Sequence, residues 1–205
     1  MPAAAVTRLV REHLVPVLAD RGFRRAGSTF RRPAGETVQV VQVQRSTRNG
    51  PALARFSLNG SVYVPALDEL LDAPVLTEPD EPSCHLRWRP HDVLPDAPAH
   101  YDVAADADVG TVGAVAARDL VGLLDALDRR ATADAVVDEL AGRALAQYER
   151  VAGWYLSHDR TDDARVFVTG LHERFGDERR WEVFARHLDA VVDRVGGGAD
   201  WRSWI

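Results

Sequence analysis

The sequence predicts an α+β fold: an N-terminal antiparallel β-sheet with a packed helix, followed by a C-terminal helical region. Two observations carry this reading. Short segments of alternating apolar and polar residues, bounded by Gly and Pro, crowd residues 28–103, whereas from residue 111 apolar side chains recur at helical spacing. Strands gathered ahead of helices indicate a segregated α+β architecture. The expected division is an α+β domain over 1–130 and a helical appendage over 131–205 packed on it.

The first helix, over 3–21, is marked by Val6, Leu9, Val10, Leu14, Val17 and Leu18. Pro16 should bend it or remove one hydrogen bond. Gly22 is placed to end it in a left-handed conformation, with Phe23 folding back as the apolar contact of a Schellman-type cap. A hairpin then joins strands 28–32 and 37–45 around Pro33, Ala34 and Gly35. Alternation breaks at Val40-Val41, which requires either a bulge or burial of both faces. Residues 55–64 alternate cleanly: Phe56, Leu58, Val62 and Val64 share one face with Gly60, and Arg55, Ser57, Asn59, Ser61 and Tyr63 share the other.

Residues 73–82, with Pro74, Pro79 and Pro82 among acidic side chains, read as a loop. Cys84–Arg89 reads as a second alternating strand, Cys84, Leu86 and Trp88 inward, His85, Arg87 and Arg89 outward. A short edge at 101–103 interrupts an irregular stretch over 90–108. Helices are expected over 111–130 and 132–156. A third runs from an N-cap at Thr161, with Asp162 and Asp163 in its first turn, to Gly176. A fourth runs from Asp177 to the glycines at 196–198. The tail Trp201–Ile205 is too apolar to stay loose and should dock. Phe23, Phe30, Phe56, Leu58, Val62, Leu86 and Trp88 are the predicted sheet core.

Lysine is absent: all 25 basic residues are Arg. This removes a Walker-type phosphate lysine, a Schiff-base lysine and a kinase-type lysine in one stroke. It also suggests a GC-rich bacterial genome. No stretch approaches the roughly 18–20 apolar residues of a membrane span, and Arg8, Arg11 and Glu12 interrupt any secretory signal at the start. The single cysteine, Cys84, fits a reducing cytoplasm. Residues 1–55 carry ten Arg against three acids, a net +7, while the remainder carries −13. A basic first quarter suits either an anion or internal pairing with the acidic remainder, and overall acidity disfavours nucleic acid at long range.

Several segments then fall in a recognisable order: Gly22-Phe23, Thr29–Arg32, the V-Q-V-Q-R-S run ending at Ser46, Phe56–Gly60 and Cys84–Arg89. Together they resemble the bacterial domain of unknown function 4304, over roughly residues 3–130. The resemblance implies a small α+β domain on an antiparallel sheet. It carries over no catalytic residue, because none is established for that family.

Enzyme motifs are missing: no G-x-S-x-G, H-E-x-x-H, C-x-x-C or dinucleotide fingerprint occurs. That lowers the case for an enzyme without removing it, and no catalytic residue, metal or cofactor is expected. Cys84, His85, His91 and His100 lie close in sequence, but their spacing matches no closed zinc pattern. His91-Asp92 reads as a capping, solvent-facing pair. The remaining candidate is the outward sheet face, with Arg55, Asn59, Tyr63, His85, Arg87 and Arg89, joined by Gln42 or Gln39 and by Arg45 depending on the bulge. Arg forks recognise carboxylates and phosphates, and amides fix orientation. The expectation is a protein-interaction or binding module using this face. The alternatives are a small-anion-binding or hydrolytic domain and, less favoured, a nucleic-acid binder.

Overall fold

Antiparallel pairing organises the first of two units into which the chain divides. That unit takes residues up to Val64 and Thr77–Thr132; the second takes Pro65–Leu76 and Ala133–Ile205. The computed structural model describes residues 2–143, 145–195 and 198–205.

In the first unit, helix α1 (Pro2–Leu9) runs through a five-residue π turn (Val10–Leu14) into α2 (Val15–Asp20). The π turn has a local cause. Pro16 offers no N–H to the carbonyl four residues back and its ring crowds that carbonyl, so the turn widens and the Val15 N–H reaches Val10 O. Gly22, at φ +80°, ends the helix. Its N–H bonds Ala19 O and that of Phe23 bonds Leu18 O, both at 2.9 Å, the bond pair of a Schellman cap.

The sheet has six strands among the described residues: β1 (Arg24–Ala26), β2 (Thr29–Ala34), β3 (Thr37–Arg45), β4 (Leu53–Tyr63), β5 (Leu86–Trp88) and β6 (Tyr101–Ala104). They lie in the order β1-β2-β3-β4-β5, and β6 pairs with the first half of β4. Gly35 turns the β2–β3 hairpin at φ +59°, where an added Cβ would sit 2.5 Å from Ala131 O. The β3–β4 register is unbroken from Val38↔Tyr63 to Arg45↔Phe56. No bulge interrupts Val40-Val41; both faces are covered, and both side chains are fully buried.

The inner face carries Phe30, Val41, Val43, Phe56, Leu58, Val62, Leu86 and Trp88, all buried, as is Phe23. Against it pack α1 and the long helix α5 (Val109–Asp128), N-capped by Asp108, whose carboxylate accepts the Gly110 N–H at 3.0 Å. Gly60 makes room for α5, since a Cβ there would lie 2.9–3.0 Å from the Leu123 side chain. A polar seam runs beneath, from inside to surface: buried Gln39 donates to Leu127 O at 2.9 Å and accepts from Arg32, which also pairs with the exposed Asp128.

Part of the outer face is covered as well. A single 3-10 turn at Glu81–Ser83 lies against β3 and β4, tied by Arg31 donating to Pro79 O at 2.7 Å. Beneath it Val40, Tyr63 and Cys84 form a small apolar cluster. Cys84 therefore faces outward, against expectation: it precedes β5, so strand parity does not govern it. The short helix α4 (Pro90–Val93) follows β5.

The second unit contains α3 (Pro65–Glu69), α6 (Ala133–Arg143), α7 (Tyr148–Ser157), α8 (Thr161–Phe175) and α9 (Trp181–Val195). The expected single helix over 132–156 is two helices, with Ala144 outside the described residues. Trp154 and Tyr155 donate to Asp134 and Asp138 at 2.9 and 3.1 Å, contacts that need α7 folded back along α6. The N-cap of α8 is Arg160 rather than Thr161, and its guanidinium pairs with Asp134, Asp138 and Asp163. Asp68 and Arg150, at 2.7 Å, join α3 to α7. The tail docks: Trp201 is buried and donates to Asp189 at 3.0 Å. The expected helix stop at 196–197 lies outside the described residues.

Candidate functional site

Strand parity places Arg55, Asn59, Tyr63, Arg87 and Gln42 on the outer face of the sheet, but their surroundings differ. Arg55, at the β6 end, forms a two-pronged pair with Asp102 at 2.6 and 2.8 Å. The Asp102 hydrogen bond raises the Arg55 pKa, and Asp102 is lowered in turn. Its partner is thus the adjacent strand, not a C-terminal helix.

Arg45 departs from expectation. With no bulge in β3 it shares parity with Val41 and Val43, opposite Phe56, and reaches Thr7 of α1 at 2.9 Å. Tyr63 and His85 depart as well. Tyr63 is fully buried and stacks on His85 with ring centres 5.1 Å apart, and the His85 Nδ1 accepts the Val64 N–H at 3.1 Å. Both pack within the fold and are unavailable to a ligand at the surface. Burial also pushes the neighbouring Cys84 thiol up to about 12, so it stays protonated and unreactive.

The other predicted residues meet in one place. A polar groove of about 510 Å³ opens over β3, β4, β5 and the start of α4, lined by Asn59, Arg87 and Arg89 together with Gln44, Glu81, Trp88, His91 and Asp92. Asn59 is buried and donates to Gln44 at 3.0 Å and to Gln42 at 3.4 Å. The two amides of β3 thereby fix its orientation. Arg87 stands out to solvent, 3.8 Å from the mostly buried carboxylate of Glu81. Asp92 accepts the Arg89 N–H at 2.6 Å, which anchors the first turn of α4, and lies 3.6 Å from His91. The capping role read for Asp92 therefore holds. Among the described residues the Arg89 guanidinium has no carboxylate partner.

Gln44 and Glu81 are absent from the residues the sequence singles out, and His91 reads there only as a partner of Asp92. Gln44 was accessible in principle, because it shares parity with Gln42. His91 could have been placed by the helix-start signature Arg89-Pro90-His91-Asp92, with Pro first in the helix and an acid two residues on. Glu81 carried no signal, because nothing local says that the 73–82 loop folds back over the sheet. Among the described residues no group of three or more His, Cys, Asp or Glu could hold a metal ion, and no helix is long and apolar enough to cross a membrane.

This is an antiparallel-sheet α+β unit with a polar groove on its outer face. Residues 14–114 match the model of the domain of unknown function DUF4304, a narrower span than the 3–130 read from the motifs. The chain resembles that family over the whole sheet, and every residue of the groove lies inside the matched segment. No curated protein and no solved structure matches the chain.

Proposed function

We propose that the protein is a binding module whose outer-face groove captures an anionic group, carboxylate or phosphate, on its ligand. One observation carries the reading: Arg89 projects into a polar groove with no carboxylate of its own, beside Arg87 and the oriented amides of Asn59 and Gln44. An unpaired guanidinium next to fixed amides supplies both charge and direction to a planar anion. The groove lies within the usual size range of small-ligand sites, about 300–1,000 Å³. The proposed setting is a bacterial cytoplasm, with residues 1–130 as the α+β domain, apart from the 65–76 segment that joins the helical unit, and 131–205 as a helical appendage. Nucleic acid is the weaker partner, since among the described residues no row of exposed aromatics accompanies the arginines.

Calorimetric titration with pyrophosphate, citrate and a Glu-rich peptide tests the reading. One of them should bind, and Arg87→Gln with Arg89→Gln should abolish it at an unchanged melting temperature. Binding that survives the double substitution sinks the proposal. A hydrolytic role is the second reading, because His91 and Glu81 line the same groove. Turnover of a chromogenic phosphoester that is lost in His91→Ala would favour it.

A further inference from the structure

The helical unit holds a second groove, of about 480 Å³, across α6, α7 and α8. Leu145, Val166, Phe167 and Leu171 form its apolar wall. Val166 is 74% exposed, more than any other large apolar side chain among the described residues. An aliphatic group so open to water gains nothing for the isolated fold, and burying it favours a partner. Gly142 and Gly170 line the same groove from within α6 and α8, and an added Cβ at either would meet no atom within 4 Å. Helical glycine is disfavoured relative to alanine, and here no internal packing requires it. Space for close backbone approach is left instead.

Charge along the groove is polarised. Helices α6 and α8 run in the same direction, each antiparallel to α7, so Arg143 and Arg174 come at one end and Asp163 at the other. Asp163 is engaged by Arg160 and Arg143 by Glu139. Arg174 lies over the Phe175 ring at 5.0 Å and has no carboxylate partner among the described residues.

We infer that this groove seats an amphipathic helix of a protein partner, with acidic residues at the end that meets Arg174. A helix fits the shape better than an alkyl carboxylate. Val166 on its wall is largely open to water, so an alkyl chain laid there would keep a wet flank. A helix lays an apolar stripe on the wall and turns its polar side to water. This inference uses none of the sheet-groove residues.

Fluorescence anisotropy with the 205-residue chain tests it. The probe is a labelled peptide of about four helical turns, with Leu at i, i+3 and i+7 and Glu at its C-terminal end. The controls are the same peptide ending in Lys, and dodecanoate. The Glu-ended peptide should bind at least about tenfold tighter than the Lys-ended one, and Arg174→Glu should reverse that order. Gly170→Leu should weaken binding at least about tenfold without lowering the melting temperature, because it fills the groove and improves the helix. Absence of peptide binding, equal affinity of Gly170→Leu, a lower melting temperature for that variant, or stabilisation by dodecanoate in place of peptide each overturns the inference.

Discussion

Phe56 and Cys84 show how one sheet assigns opposite roles to its two faces. Phe56 is fully buried on the inner face and stacks on Tyr101 with ring centres 5.1 Å apart. Phe56→Ala should destabilise the protein by about 3–5 kcal/mol, read from urea unfolding; a loss under about 1 kcal/mol would mean the site collapses to fill the void. Cys84 lies in the small outer cluster with Tyr63 and Val40. Because burial pushes its thiol up to about 12, native protein at neutral pH should react with iodoacetamide only as fast as it opens. Alkylation at the rate of a free thiol in the folded protein would contradict that burial.

Among the elements, α5 is fixed at its start by a single side chain. Asp108 accepts from the Gly110 N–H and from the Thr111 hydroxyl at 2.7 Å, and these bonds, the Thr111 one foremost, lower its pKa. A depressed carboxyl pKa contributes stability above the unfolded value of about 3.9 and loses it as pH falls through the folded value. Acid unfolding of wild type should therefore include a component below about pH 4 that Asp108→Asn lacks. Identical acid profiles for the two proteins would show that the cap contributes nothing.

How far such elements could be read from sequence depended on whether their cause was local. Gly22, Gly35 and the β4 alternation act within a few residues, so the helix stop, the hairpin and the inner core were legible. Tyr63 was read correctly for parity and wrongly for exposure: alternation states which way a side chain points, not what lies above it. The cover comes from Pro79–Cys84, a segment whose composition says only loop. The α6–α7 break was hidden for a related reason, since Leu140, Tyr148, Val151 and Tyr155 keep helical spacing straight through it. Only Gly142 hints at it, and the contacts to Asp134 and Asp138 that drive the reversal are long-range. Of the candidate residues, Asn59, Arg87 and Arg89 line one groove, while Arg45 falls on the inner face because β3 carries no bulge.

At the scale of the whole molecule, a segment of the second unit, residues 65–76, falls in chain order between the two parts of the first. Residues 65–76 leave the sheet after β4, contribute α3 to the helical unit through the Asp68–Arg150 pair and the seat of Leu70 against Gly153, and return before β5. A fragment ending at residue 132 would keep α3 without Gly153 to seat Leu70 and without Arg150 to pair with Asp68. That fragment should aggregate on size-exclusion chromatography, and replacing 65–76 in it with a Gly-Ser linker should restore a monomer. Equal behaviour of the two fragments would refute the dependence. The same chain order sets an order during synthesis. The ribosome delivers α3 well before α6 to α9 exist, so its apolar side waits uncovered while translation continues. The nascent chain thus carries a sticky segment in the middle of a sheet that is still forming. A chaperone that holds extended apolar segments would find its target there, rather than at either end of the polypeptide.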